Sequence, residues 1–372
     1  MIREYNRKLV LENGIQMDGY AFGAEGTHVV EAVFNTSMVG YQEILSDPSY
    51  TDQAVVFCYP MIGNYGMNSD DFETKRPTIG GFIVREYCEY PSNWRCSRTL
   101  SDVMKQYDIP GIEGVDTRAL TRIIRENGTM RAVICDPSMS LEEALDLIEK
   151  TPVPHDQVPR VSSKEVWTSD SSRRRSEAYQ VALIDCGAKL NIVRSLVKRG
   201  CDVTIYPYNT DAETILAKKP DGIMISNGPG DPEDVPEVVE LLQKVRGKVP
   251  VFGICLGNQL IALSYGAKTY KLKFGHRGGN HPVMDLETGK IEITSQNHSY
   301  AVAEESLAGT PLQVTHRNIL DQTVEGIACK EDHIFAVQYH PESCPGPEDS
   351  GQLFDRFIAL MDDKKNGGAQ NA

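Results

Sequence analysis

From residue 180 onward the chain alternates short, wholly apolar runs with stretches of helical period. Residues 181–185, 202–206, 222–226 and 249–254 read as strands, and residues 189–199, 210–217, 236–246 and 257–265 as the helices between them. Strands that are apolar at successive positions are buried on both faces, which implies an open, largely parallel sheet with helices on either side. Four later runs, 291–294, 313–317, 324–328 and 334–339, extend that sheet, and 352–361 closes it as a helix.

The first half has a different pattern. Residues 9–12, Asn13-Gly14 and 15–20 predict a hairpin, because Asn-Gly tolerates the positive φ of a type I′ turn. Apolar runs at 28–34, 54–59 and 81–86 predict further strands. Residues 116–127 predict a helix capped by Asp116, striped by Leu120, Ile123 and Ile124, and ended by Gly128. A strand at 130–135 follows, then a Ser140/Glu143 capping box ahead of a helix over 141–150. Residues 153–178 are rich in Pro, Ser and charge and lack a period. They read as a linker, with Arg173-Arg174-Arg175 as a solvated run. The expected organisation is a mixed α/β domain over 1–152, a linker over 153–178, an α/β domain over 179–361 and a disordered polar tail over 362–372.

Composition narrows the functional classes. Of 372 residues, 40% are hydrophobic, enough for two cores. The net charge of −14 repels phosphate backbones and argues against a nucleic-acid partner. No apolar stretch reaches membrane-span length, and the N-terminal residues lack the apolar core of a signal peptide. The nine cysteines include no C-x-x-C pair, so reduced thiols in a cytoplasm are expected rather than a zinc site or disulfides. Three Asn-x-Ser/Thr matches, at Asn35, Asn127 and Asn297, are chance occurrences on that reading. No phosphate-loop motif is present, so no nucleotide cofactor is expected in this chain.

The segment Val249-Pro-Val-Phe-Gly-Ile-Cys255-Leu-Gly carries the most chemistry. An apolar strand runs into Gly253-Ile-Cys255-Leu256-Gly257 and a helix begins at once, the geometry of a nucleophile elbow with Cys in place of Ser. Gly at −2 and +2 removes β-carbons that would collide on so tight a turn. The thiol then sits at the C-terminal end of the sheet and at a helix N-terminus, which favours thiolate. The Leu256 N–H points where an oxyanion would form. Of eight histidines, His340 follows a predicted strand and precedes Pro341-Glu342; at i+2, Glu342 can turn back and orient the ring. Cys255, His340 and Glu342 thus read as a triad. Asn227-Gly228-Pro229-Gly230 follows the strand before the cysteine strand, and its glycines suit a substrate and oxyanion role.

These elements together resemble the class I, triad-type glutamine amidotransferases. Three further segments are similar to the small, glutaminase-subunit family of carbamoyl-phosphate synthases: Phe34-Asn-Thr-Ser-Met-Val-Gly-Tyr-Gln-Glu-Ile-Leu-Ser-Asp-Pro-Ser-Tyr50, Gly114-Val-Asp-Thr-Arg-Ala-Leu-Thr-Arg122 and Lys273-Phe-Gly-His-Arg-Gly-Gly-Asn-His-Pro282. The resemblance spans residues 8–361. It implies a class I amidotransferase-like fold for the C-terminal domain and hydrolysis of L-glutamine, with Cys255 as nucleophile, His340 as base and acid, and Glu342 as orienting carboxylate. It implies glutamine contacts at Ser49, Gly228, Gly230, Leu256, Gln259, Asn297, Ser299 and Tyr300, and hence a pocket at the domain interface. It also implies a large partner chain that binds ATP, magnesium and bicarbonate and receives ammonia, with the domain over 1–152 as the one that contacts it.

Two positions depart from the family pattern. Asn258 stands where a His is common, and is expected outside direct reach of the thiol. Ser299-Tyr300 stands where Gly-Phe is common; a backbone contact at 299 survives if φ stays negative. Two other readings remain open on the sequence: a stand-alone cysteine γ-glutamyl hydrolase, and a regulatory chain whose triad is idle.

Overall fold

The computed structural model describes residues 4–174 and 177–369; Met1–Arg3, Arg175 of the basic run, Ser176 and the end of the tail lie outside the described residues. The chain divides into two units, Met1–Pro154 with Lys273–Arg277, and His155–Leu272 with Gly278–Ala372.

In the first unit the apolar runs become a closed barrel. Strands Arg7–Leu11, Gln16–Gly23, Pro110–Glu113, Gly81–Ile83, Gln53–Phe57, His28–Asn35 and Met130–Cys135 follow one another around it. The four from Pro110–Glu113 to His28–Asn35 pair in parallel and the other pairings are antiparallel. Closure removes the unpaired edges an open sheet would leave. Leu9, Ala32, Val56, Ile83 and Ile134 gather with Leu120 and Ile124 of the helix Thr117–Asn127. Val33, Val55 and Phe82, the alternate positions, pack with residues of the helices Tyr41–Ser46 and Leu100–Gln106. Burial on both faces explains why these strands read as continuous apolar runs.

The helix caps follow the sequence closely. Asp116 accepts the Ala119 N–H at 2.9 Å, and Ser140 and Glu143 form a reciprocal capping box. The hairpin turn differs. Positive φ occurs at Gly14 alone (+86°), with the Gly14 N–H donating to the Leu11 carbonyl at 2.8 Å. Asn13 instead spends its side chain on the Ile15 N–H at 3.2 Å, so a turn with a glycine bulge replaces the expected type I′ turn.

The second unit is built on a sheet with the order Trp167–Ser169, Cys201–Pro207, Tyr179–Asp185, Gly222–Ile225, Val251–Ile254, Ile334–Val337, Val324–Cys329, Gln313–Asn318, Thr269–Asp285, Ile291–Val302. The five strands from Cys201–Pro207 to Ile334–Val337 are parallel neighbours. Val324–Cys329, Gln313–Asn318 and Thr269–Asp285 then add antiparallel pairings. Helices Leu190–Lys198 and Gln352–Ala369 cover one face, packing Leu196 and Phe357 on Phe252 and Val337. Helices Pro236–Val245 and Leu256–Ser264 cover the other, packing Leu242 and Ile261 on Ile223 and Val251.

Two stretches hold more structure than their composition suggested. Within 153–178, Gln157–Val161 is helical with Val158 buried, and Trp167–Ser169 is an edge strand antiparallel to Cys201–Pro207. The Trp167 indole N–H donates to Ser163 Oγ at 3.0 Å, which ties that strand in place. The polar tail continues the last helix to Ala369. Two of its polar residues find partners: Tyr179 donates its hydroxyl proton to Asp362 at 2.9 Å, and Lys365 pairs with Asp221 at 3.0 Å. Among the described residues no helix is long and apolar enough to cross a membrane.

Candidate active site

Cys255 ends one strand and opens the helix Leu256–Ser264 with its backbone at φ +55°, ψ −104°. That is a costly conformation for a residue with a β-carbon. The flanking glycines make it possible. A β-carbon on Gly253 would stand 2.8 Å from the Gly257 carbonyl, and one on Gly257 would stand 2.5 Å from the Ile225 carbonyl oxygen. The helix can begin this close to the sheet only with bare backbone at both places. The Cys255 N–H donates to the Val337 carbonyl at 2.9 Å, fixing the turn to the neighbouring strand. The buried sulfur lies 3.6 Å from the Asn297 carbonyl oxygen and 3.6 Å from the Gln338 side-chain nitrogen.

Because Val251–Ile254 and Ile334–Val337 are parallel, with Ile254 opposite Val337, both chains leave the sheet at the same edge. His340 comes three residues after that exit, its N–H bonded to the Ser295 carbonyl at 2.9 Å. Its Nδ1 lies 2.6 Å from Glu342 Oε1. Its Nε2 is buried with no hydrogen-bond partner among the described residues. Burial opposes charge on this ring. The Glu342 carboxylate and the adjacent Cys255 sulfur outweigh it and raise the His340 pKa to about 10. Burial would likewise protonate Glu342, but Lys189 and His340 hold its pKa down at about 2.

Lys189 is the buried counter-charge. Its Nζ lies 3.0 Å from Glu342 Oε1 and donates to the Ser343 carbonyl at 2.5 Å. The Asn191 amide donates to the Glu342 carbonyl. Lys189 and the imidazole thus converge on one carboxylate oxygen, Oε1, and Oε2 is buried with no hydrogen-bond partner among the described residues.

The glycine turn lies beside the elbow. A β-carbon on Gly228 would stand 2.3 Å from the Cys186 carbonyl oxygen and 2.7 Å from Leu256 Cδ2, and Gly230 has φ +87°. The Asn227 side-chain oxygen accepts the Lys189 N–H at 3.1 Å, joining this turn to the charge network. Leu256 is the first helical residue, so its N–H has no acceptor within the helix. Gln259 donates to the Tyr300 carbonyl at 2.8 Å and to Gln338 Oε1 at 3.1 Å. Asn297, Ser299 and Tyr300 lie on the strand Ile291–Val302, and Ser299 has no positive φ. Asn258 donates to Gln338 Oε1 at 3.3 Å, so Gln338 stands between it and the sulfur. Ser49 belongs to the first unit, buried in the turn Pro48–Tyr50, where its N–H donates to Asp47 Oδ1 at 2.9 Å.

The chain matches two family models: the CPSase domain of the carbamoyl-phosphate synthase small chain over residues 9–134, and glutamine amidotransferase class-I over residues 182–360. It is 52% identical to the carbamoyl phosphate synthase small chain of Fusobacterium nucleatum, over 96% of this chain and 99% of that one. It belongs to the carbamoyl phosphate synthase small chain family. It is also 52% identical to the pyrimidine-specific small chain of Bacillus subtilis, over 98% of this chain and 100% of that one. A solved glutamine amidotransferase from Thermotoga maritima covers 51% of this chain and is covered over 86% of its own length, at 15% identity and TM-score 0.37.

For this small chain the sequence reading missed Lys189 and Gln338. Both left a signal. Lys189 stands at the N-cap of the helix Leu190–Lys198, where the helix dipole disfavours a cation, so its placement needed another cause. Gln338 interrupts an otherwise apolar strand exit and is fully buried. A polar side chain in that position has to be hydrogen-bonded, and here it reaches the Cys255 sulfur.

Proposed function

We propose that this chain hydrolyses L-glutamine to glutamate and ammonia, and passes the ammonia to a large ATP-dependent chain that makes carbamoyl phosphate for arginine or pyrimidine biosynthesis. The observation that carries the reading is the pairing of a cysteine at φ +55° with His340 from the adjacent parallel strand, itself 2.6 Å from Glu342.

The thiolate of Cys255 attacks the side-chain amide carbon of glutamine. The carbonyl oxygen takes up negative charge, met by the N–H of Leu256 and an N–H of the Gly228–Gly230 turn. His340 Nε2 gives its proton to the leaving nitrogen, the C–N bond breaks, and ammonia departs from a γ-glutamyl thioester. Water then enters; His340 takes its proton, hydroxide adds to the thioester, and collapse releases glutamate and the Cys255 thiolate. Glu342 keeps the ring in one orientation and stabilises the imidazolium, and Lys189 keeps Glu342 ionised. Gln259, Asn297, Ser299 and Tyr300 offer the polar groups that would fix the substrate. ATP, magnesium and bicarbonate belong to the large chain in this scheme.

The test is co-purification with the large chain, followed by an assay of carbamoyl phosphate formation from bicarbonate and ATP. The parent should use glutamine. Cys255→Ala should support synthesis with added ammonia only. Glutamine-dependent synthesis by Cys255→Ala at the parental rate would refute the reading. Turnover of glutamine by the parent with no coupling to ATP would point to a free hydrolase, and no turnover at all to an idle regulatory chain.

A further inference from the structure

We propose that the cleft along the helix Thr117–Asn127 in the first unit receives an acidic face of the large synthetase chain. This rests on the partner named above and adds where it docks. Arg118, Arg122 and Arg125 are exposed at i, i+4 and i+7, one stripe about 10 Å long. With Arg85 and Pro60 they line a cleft of about 730 Å³.

The three guanidinium groups on the helix are bare, whereas Arg85 donates to the Gly114 carbonyl at 3.4 Å. None of the three on the helix has a hydrogen bond or ion pair among the described residues. Three arginines elsewhere are matched: Arg95 by Asp71 at 2.9 Å, Arg199 by Asp355 at 2.7 Å, Arg317 by Glu304 at 2.7 Å; what sets this helix apart is that its three unmatched arginines stand side by side on one cleft. In a chain with 52 acidic and 38 basic residues, carboxylates are not scarce. Three neighbouring cations left without one repel each other at helical spacing. Asp116 also lines the cleft, where it accepts the Ala119 N–H, so one carboxylate stands against the four guanidinium groups of Arg85, Arg118, Arg122 and Arg125. The charge that would complete this surface therefore comes from outside the chain.

The shape selects a protein face over a small anion. One phosphate is matched by one or two guanidinium forks, whereas a stripe of this length fits carboxylates spread over a surface. Pro60 is followed by the exposed Met61, so apolar area adjoins the charge, and Met and Arg are both favoured at interfaces. A two-fold contact between copies of this chain would set arginine against arginine. The stripe lies in the part that matches the synthase small chain domain, outside the part that matches the amidotransferase, so glutamine chemistry does not account for it.

The experiment titrates the full-length chain with its full-length large chain at low and moderate salt. It compares the parent with Arg118→Glu/Arg122→Glu and the milder Arg118→Gln/Arg122→Gln. The glutamate pair should raise Kd by about tenfold or more and flatten its salt dependence, with the glutamine pair between it and the parent. Both pairs should keep parental glutaminase activity and melting temperature. Parental affinity in the glutamate pair would overturn the docking site while leaving the partner intact. Failure of the parent itself to bind would overturn both. Stabilisation of the parent alone by inorganic phosphate, with assembly unchanged in the variants, would reassign the cleft to a small anion and also refute the proposal.

Discussion

Two sets of charges, one in each unit, stand in opposite surroundings. In the second, Lys189, Glu342 and His340 are buried, with Glu342 3.0 Å from Lys189 and 2.6 Å from His340. In the first, Arg118, Arg122 and Arg125 stand in water with no partner among the described residues. Burial magnifies every electrostatic interaction, so the paired set can hold a proton on an imidazole beside a sulfur far above its ordinary range. Exposure keeps the other set weak one by one but free to meet a partner. On the two proposals made above, the first kind of charge serves chemistry and the second recognition.

The comparison can be broken most sharply at the nucleophile. Cys255→Ala should lower glutaminase turnover by about 10⁴-fold or more, read as glutamate release. Glu342→Ala should cost about ten to a hundred times less, because orientation and imidazolium stabilisation are lost but the nucleophile and base remain. Equal losses in the two variants would show that Glu342 does more than position the ring.

Lys189→Met tests the buried charge directly. It leaves Glu342 uncompensated, and should lower unfolding stability by about 3–5 kcal/mol in urea at neutral pH. Adding Glu342→Gln to it should recover part of that loss. If Lys189→Met alone is neutral, the pair is not holding the site together. The same change to Arg118 or Arg122, which have no partner to strand, should move stability by less than about 0.5 kcal/mol.

The pH dependence follows from the two shifts. His340 is raised from 6.5 to about 10, so its contribution is complete below pH 6.5 and fades as pH rises toward 10. Glu342 is lowered from 4.5 to about 2, so its contribution is complete above pH 4.5 and fades as pH falls toward 2. Stability contributed by the pair should therefore be greatest between pH 4.5 and 6.5, checked by urea titration across the range. The His340→Asn variant should lose the alkaline slope. The smallest effect is expected at Asn258→Ala. It removes one hydrogen bond to Gln338 and should cost about 1 kcal/mol of stability and less than about tenfold in rate.

The parallel half of the second unit was readable in the sequence because each strand–helix step is local and carries its own apolar period. Residues 181–185 and 222–226, and the cysteine turn between two glycines, announce themselves within a few positions. The barrel was not readable, since its closure depends on pairing Arg7–Leu11 with Met130–Cys135 across most of the domain. The long strand Thr269–Asp285 was hidden by its lysines, glycines and histidines, which break any apolar alternation. In the site, Cys255, His340 and Glu342 stood at recognisable offsets. Lys189 and Gln338 act through contacts distant in sequence, to Glu342 and to the sulfur, and no local spacing encodes those.

The central claim is that sulfur 255 makes the covalent bond to substrate. Mass spectrometry of the chain acid-quenched during turnover of glutamine tests it most directly. A γ-glutamyl adduct on the peptide holding Cys255, absent from Cys255→Ala, is the predicted result; an adduct on a different cysteine, or its persistence in that variant, would contradict the claim.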